Sequence, residues 1–480
     1  MVHPETSFDV ISEKLNAQRA AYLAEGFVTA AVRKDRLKRA LACLLENREE
    51  FISLISEDFS NRPRETTLLA DVVPSAGALR DAIKHVSGWM KPSKRSLQFP
   101  LGLLGARAEV VPQPKGVVGL ITPWNFPVNM VFVPLAQMLA AGNRVMIKPS
   151  EATPRTSAFM KEAFSKYFDD TEVFIVNGAV ETSTIFASQP WDHLMFTGAP
   201  AVGKLIMRAA SENLTSVTLE LGGKSPVIVG KSADLASVVE RVATIKHMNA
   251  GQICLAPDYV YIDAARKEEF AEAYAEKIKQ MYPTMLENRQ YTSIISERHR
   301  KRLEGYVEDA TAKGADVRVI NPAGEAFESQ TGGNKISSAL ILGATDDMKV
   351  MQEEIFGPIL PVCTYDTIDE VINYVNSHER PLALYYFGHD KAEEKAVLEG
   401  TTSGGVTVND VLWHGAHETL PFGGIGNSGM GRYHGKDGFD EFSHQKSILR
   451  HPKMSISKLL GLVPPYTSKL EKMANMQLKK

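Results

Sequence analysis

Three cysteines stand in the 480-residue chain, and their surroundings differ. Cys43, in "LACLL", and Cys363, in "LPVCTY", lie in apolar runs, where a thiol packs as a small hydrophobe. Cys254 lies in "NAGQICLAPDYV", a polar, glycine-containing stretch between an expected helix and an expected strand. A lone cysteine is by default structural, but reactive thiols sit in loops and at helix ends. Cys254 is therefore the candidate nucleophile. Glu220 stands alone among Thr, Leu and Gly in "TLELGGKSP". An ion pair or an exposed strand position would explain it, since an unpaired buried carboxylate is costly. The functional alternative is a carboxyl of raised pKa that takes a proton from water. Asn125, in "ITPWNFP", follows the strand "GVVGLI". Asn is common in turns, yet this turn leaves the carboxyl end of a parallel strand, where ligands bind in such sheets. Its amide can donate to a developing oxyanion. Lys148 ends the strand "RVMIKPSE" at the equivalent edge, and Glu151 follows three residues on. Together they could hold ribose hydroxyls, although a solvated lysine is the plainer reading.

Two glycine patterns mislead. Gly198 to Lys204, in "HLMFTGAPAVGKLIM", has the P-loop spacing G-x-x-x-x-G-K. A P-loop needs Ser or Thr next, to hold Mg²⁺, and this chain has Leu205. A glycine turn at a helix N-terminus remains an anion site. Gly424, Gly426 and Gly429 spell G-x-G-x-x-G, but Pro421 precedes them and "GRYHGKDGF" follows. No strand–turn–helix is expected there, so the stretch reads as a glycine-rich loop. His414 and His417 form an H-x-x-H pair without an evident third ligand, and no metal site is expected.

The elements that must position these groups follow a clear rhythm. The first ~90 residues read as helical, with Leu37, Leu41, Leu44, Phe51 and Ile55 on one stripe of a helix broken by "SNRPRE". From Gly116 strands and helices alternate: "GVVGLI", "NMVFVPLAQMLAAGN", "RVMIKPS", "TPRTSAFMKEAFSKYF" with Thr153 as N-cap, "EVFIVNG", "VETSTIFASQ", "HLMFTG" and "AVGKLIMRAASENL". That is a parallel sheet covered by helices on both faces. A second α/β region follows "TLELGGKSP", with a helix over "DLASVVERVATIKHMNAGQ", the strand "DYVYID" and the helix "KEEFAEAYAEKIKQM". "NPAGEAFESQTGGNK" reads as a surface loop.

Composition narrows the class. The chain is 44% hydrophobic and 23% charged, with a net charge of −3, as expected of a soluble globular enzyme. No basic run marks a nucleic acid or an anionic membrane as partner. Too few cysteines are present for a disulfide framework, which points to a reducing, cytoplasmic setting. The first residues lack the apolar core of a signal peptide, and "LLGLVPP" is far too short to span a bilayer.

Seven stretches, "PWNFP", "KPSE", "FTGAPAVGK", "LELGGKSP", "NAGQICLAPDYV", "EEIFGP" and "PFGGIGNSGMGRYHGKDGF", occur in an order that resembles the aldehyde dehydrogenase superfamily over nearly the whole chain. Within it, "LELGGKSP", "CLAPDYV", "GNSGMG" and "LLGLVPPY" resemble the class 3 branch. The resemblance implies an α/β fold with a Rossmann-like, parallel-sheet NAD(P) domain (1–93 and 117–219), a second α/β catalytic domain (220–413), an oligomerisation arm (94–116 and 414–450) and a tail (451–480). It implies that Cys254, Glu220 and Asn125 oxidise an aldehyde to an acid through a thiohemiacetal and a thioester. Cofactor binding falls to Lys148, Glu151, Gly198 and Gly203, with Glu354 at the nicotinamide ribose and Phe356 at the nicotinamide side. NAD is expected and NADP possible, since Glu151 disfavours a 2′-phosphate. Pro200, in "GAPAVG", departs from the family pattern and stiffens the pyrophosphate loop. Trp124, Phe126 and Phe422 are expected as aromatic substrate lining. Aromatic or cinnamyl-type aldehydes are the expected substrates, with medium- or long-chain aliphatic aldehydes as the alternative, and a homodimer is the expected assembly.

Overall fold

The structure, a computed structural model, describes residues 5–330 and 332–478. It opens with stacked helices, Phe8–Glu25, Ala30–Glu46, Arg48–Asp58 and, after a π-helical turn over Leu68–Val72, Val73–Trp89. Ser7 and Thr29 start the first two by accepting hydrogen bonds from Val10 N and Val32 N. The stripe Leu37, Leu44, Phe51 and Ile55 is fully buried. It belongs to two helices rather than one, because the chain breaks at Asn47, whose side chain bonds back to Cys43 O at 2.8 Å.

Along the chain, β1 (Ser93–Arg95) and β2 (Arg107–Pro114) pair antiparallel. Next come β3 (Val117–Ile121), β4 (Arg144–Lys148), β5 (Val173–Ile175), β6 (His193–Gly198) and β7 (Ser216–Leu221), all parallel, with helices between them. Then β8 (Pro226–Val229), β9 (Tyr259–Asp263), β10 (Asp316–Ile320), β11 (Ser338–Leu342), β12 (Ile359–Tyr365), β13 (Ala383–Phe387) and β14 (Gly405–Val408) build a second sheet. Its order is β10-β11-β12-β9-β8-β13-β14, parallel except for β10. The chain then returns: β15 (Gly429–Met430) joins the edge of the first sheet, and β16 (Ser443–Arg450) pairs with β2 along its whole length.

Strands β3 and β4 are buried at every residue, as a parallel sheet covered on both faces requires. The first sheet runs β15-β7-β6-β3-β4-β5. From β3 the chain proceeds outward to β4 and β5, then crosses back to β6 and β7. The reversal lies between β3 and β6, and ligands bind at such a switch point, beyond the strands' carboxyl ends. The segments that emerge there carry Asn125 and Gly198.

Several sequence expectations need correction. Thr153 stands at the N-cap of the helix Pro154–Ser165, but its hydroxyl does not cap it. Asp58, 97 residues earlier, accepts from Arg155 N and Thr156 N at 3.1 and 2.9 Å. The expected helix ending in "HMNAGQ" stops at His247. Strand β7 runs through Leu221, so the expected division at 219/220 falls inside a strand. The 414–450 stretch gives β15 to the first sheet before it reaches the three-stranded β1-β2-β16 sheet. No helix among the described residues is long and apolar enough to cross a membrane.

Candidate active site

A cavity of about 790 Å³ lies between the two large sheets, and it brings most of the candidate residues together. Cys254, Glu220 and Asn125 line it, as do Gly198, Glu354 and Phe356. Each arrives from a different element. Asn125 follows β3, Gly198 ends β6, Glu220 lies near the end of β7, Cys254 precedes β9, and Glu354 with Phe356 precedes β12.

The Cys254 segment is held in an uncommon backbone conformation. Asn249 and Ala250 both have φ +52°, and Gly251 has φ +73°. Two non-glycine residues in the left-handed region cost of order 1–2 kcal/mol each. At Gly251 a Cβ would also collide with the carbonyl of Gly357, so only glycine fits. Gln252 stabilises the turn. Its fully buried amide donates to Asn249 O (2.9 Å) and Ser293 O (3.1 Å) and accepts from Ile295 N (3.0 Å). Asn125 is tied to the same turn, since its Nδ2 donates to Gln252 O at 3.2 Å. One amide hydrogen of Asn125 is thereby committed, which fixes the direction of the other.

Glu220 differs from this hydrogen-bonded turn. It is 1% exposed, and neither carboxylate oxygen has a hydrogen-bond partner among the described residues. Burial pushes its carboxyl up to about 7, moderated by the Cys254 thiol and the Thr197 hydroxyl. The ion-pair explanation of Glu220 therefore fails. The half-buried Cys254 thiol is held well above its usual value, first by burial and then by the Glu220 and Glu354 charges. Glu354 rises to about 8, mainly through burial and then through Asp258.

Of the expected aromatics, Trp124 lines the cavity, with its ring 5.5 Å from Phe356 and 5.4 Å from His299. Phe126 and Phe422 are not on its wall. Phe126 packs beneath the Arg62 guanidinium, and Phe422 stacks on His434 with ring centres 5.0 Å apart. Gly203 also stays off the wall; it lets the helix Pro200–Ser211 pack onto Leu221. Lys148 and Glu151 lie at the end of β4, outside this cavity, with Nζ 3.4 Å from the carboxylate. His414 is taken up by Thr407 Oγ1 at 2.8 Å. The Gly424–Gly429 stretch is a loop leading into β15, which pairs Gly429 with Glu220.

Sequence reasoning missed three contributors. Thr197 faces Glu220 across the β6–β7 register and shares the cavity. Tyr433 is 1% exposed, and its hydroxyl has no partner among the described residues. Its phenol is raised well above its usual value, first by burial and then by the Glu220 and Cys254 charges. Arg302 lines the cavity, and its Nε has no partner among the described residues. Nothing in one sequence singles out a Thr, a Tyr or an Arg of this kind.

The residues present fit a dinucleotide. The cavity runs from Cys254 to Gly198–Ala201 at the first turn of the helix Pro200–Ser211, whose dipole favours phosphate. Arg302 adds a positive charge with a donor left over.

A thiol and a neutral-range carboxyl share one cavity beside the switch point of a parallel sheet, in a fold of the α/β nucleotide-binding type. The chain belongs to the aldehyde dehydrogenase family, whose model matches residues 5–448. It is 52% identical, over 98% of its length and 97% of the relative's, to a probable coniferyl aldehyde dehydrogenase of Caulobacter vibrioides. It is 50% identical, over 95% and 93% of the two chains, to a coniferyl aldehyde dehydrogenase of a Pseudomonas species. Staphylococcus aureus AldH, solved in a substrate-bound state, superposes with a TM-score of 0.90 at 32% identity, covering 97% of this chain and 99% of that one. The protein is thus an NAD(P)-dependent aldehyde dehydrogenase.

Proposed function

We propose that the enzyme oxidises aromatic and cinnamyl-type aldehydes, such as coniferyl aldehyde, to their acids, with NAD preferred over NADP. The observation that carries the mechanism is the meeting of Cys254, Glu220 and Asn125 in one cavity. Cys254 attacks the aldehyde carbon as the thiolate, its proton having passed to solvent; a C–S bond forms, and the carbonyl electrons become an oxyanion. The Asn125 amide and the Cys254 N–H receive that charge, and one such donor is worth about 3–4 kcal/mol. Bound dinucleotide supplies the hydride acceptor that turns the thiohemiacetal into a thioester. Glu220, poised near neutrality, then takes a proton from water, whose oxygen attacks the thioester. The C–S bond breaks and the acid leaves. Sulfur is both nucleophile and leaving group, so one difficult oxidation becomes two easier steps.

The substrate assignment is supported by the two relatives at 50% and 52% identity and by the Trp124–Phe356 wall, against which a flat ring can pack. The NAD preference is supported by Glu151 and Glu5, two carboxylates near Lys148 that would repel a 2′-phosphate. The homodimer is carried by family resemblance. A panel of aldehydes with both cofactors tests the reading. Coniferyl or cinnamyl aldehyde with NAD should give the highest kcat/KM. A ~10-fold preference for decanal, about 1.4 kcal/mol in transition-state binding, would transfer the assignment to aliphatic aldehydes. A kcat/KM with NADP equal to that with NAD would remove the cofactor preference.

A further inference from the structure

Arg62 and Asp71 form an ion pair with no exposed side-chain surface, the Arg62 Nη2 lying 2.6 Å from Asp71 Oδ2. Neither residue lines the cavity, yet both reach the active-site loop. Arg62 Nη1 donates to the backbone oxygen of Asn125 at 2.9 Å. Asp71 Oδ1 accepts from Val128 N and Asn129 N, at 3.0 and 2.9 Å, where the helix Asn129–Ala141 begins. The guanidinium carbon lies 5.2 Å from the Phe59 ring and 5.0 Å from the Phe126 ring. Asp71 itself is carried on the π-helical turn Leu68–Val72, a conformation that recurs at functional sites.

Stability is a weak explanation for such a pair. Two buried charges lose their hydration, and apolar residues of similar volume often do as well or better. What an apolar pair cannot do is fix the direction of a carbonyl and of two N–H groups. Those are the groups on either side of "NFP", the segment that aims the Asn125 side chain. The turn before Arg62 also reaches the other half of the site. Asn61 O accepts from Ser293 N at 2.9 Å, and Ser293 O accepts from the amide of Gln252 at 3.1 Å. Gln252 in turn holds the backbone ahead of Cys254. One turn of the N-terminal helical layer is therefore bonded to both segments, those of Asn125 and Cys254, between which an oxyanion would form.

We propose that Arg62 and Asp71 are positioning residues that set the Asn125 amide against Cys254 for stabilisation of the oxyanion. This rests on reading Asn125 as an oxyanion donor, and the experiment separates the two. Hydride transfer is followed as the rapid NADH burst on mixing enzyme and NAD with aldehyde. The variants are Arg62→Lys, which keeps the charge but loses the forked reach, and Arg62→Gln/Asp71→Asn, which leaves no lone charge. Each is made alone and in an Asn125→Ala background, and NADH affinity is measured by fluorescence. The burst rate constant should fall about 10- to 100-fold in the double variant, and less in Arg62→Lys, because a misplaced donor forfeits part of what a deleted donor loses. NADH affinity should stay within about twofold, as these residues do not touch the cavity. In the Asn125→Ala background the same substitutions should lower the burst no further, since residues acting as one unit are non-additive. An unchanged burst, or an equal fall in both backgrounds, overturns the proposal. So does failure of both variants to fold at low temperature, which would make the pair a folding element. Asn125→Ala with a normal burst would instead sink the oxyanion reading itself.

Discussion

The two walls of the cleft solve opposite problems. On the Asn125–Gln252 wall, amide and carbonyl groups are paired through a chain of hydrogen bonds of 2.9–3.2 Å. On the Glu220 wall, neither carboxylate oxygen has a partner among the described residues. The first wall is built to hold one geometry, and its left-handed residues are retained because the network over-determines them. The second keeps a charge in a place where charge is unfavourable, and this brings an acid from 4.5 to about 7. Fixed dipoles suit an anion that appears briefly on the substrate. A poorly solvated carboxyl suits a proton that must be taken up and given back near neutral pH.

Substitutions can break this contrast. The largest effect belongs to the sulfur between the walls. Cys254→Ser should abolish NADH formation, whereas Cys43→Ser and Cys363→Ser should keep most of it. Both of those thiols are buried in apolar core, away from the cavity that Cys254 lines. An active Cys254→Ser enzyme would remove the site assignment.

Glu220→Gln should lower steady-state turnover by about 10²–10⁴-fold. A burst of NADH near one equivalent per site should remain, because hydride transfer precedes the step that needs the base. Loss of the burst would mean that Glu220 also deprotonates Cys254, and near-normal turnover would move the base to another residue, Glu354 first. Gln252→Ala should do the reverse. It leaves Ile295 N and the carbonyl of Ser293 without their partner and removes one of two donors to the Asn249 carbonyl, so the burst should slow by roughly tenfold, about 1.4 kcal/mol, while its pH dependence stays that of the parent enzyme.

The pH dependence sharpens the comparison further. Deacylation requires ionised Glu220, so its rate should rise with pH about a midpoint near 7 and flatten in Glu220→Gln. Stability should move the other way. A carboxyl whose pKa is raised on folding binds more protons in the folded state than in the unfolded one between 4.5 and about 7. Its contribution is therefore lost as pH rises through that window. At pH 8 Glu220→Gln should be more stable than the parent by about 1–3 kcal/mol, and the two should converge below pH 4.5. Urea unfolding at both pH values reads this difference. An equal stability at pH 8 would mean that Glu220 finds a partner in solution.

The sequence alone carried the alternation of elements and most of the chemistry-bearing residue types. Periodicity and turn residues act over a few positions, so β3 to β7 and their helices were legible from "GVVGLI" to "TLELGGKSP". Context marked Cys254 against Cys43 and Cys363, because a polar, glycine-bearing run is a turn rather than an apolar strand or helix, although the turn proves to be buried. The residue type at Leu205 also discounted the false P-loop. What one sequence could not carry was set by contacts between distant segments. Glu220 could have been an ion pair; only its placement beside Thr197, away from any cation, made it a lone buried acid. Phe126 and Phe422 had the right type and neighbourhood for a substrate wall, yet packing turned both away from the cavity and left Trp124 on it. The cap of the helix Pro154–Ser165 came from Asp58 rather than Thr153, and Asn125 gained its tether from Arg62. Each of these outcomes depends on which long-range partner wins a hydrogen bond or a space in the core, and that competition exists only once the chain has closed on itself.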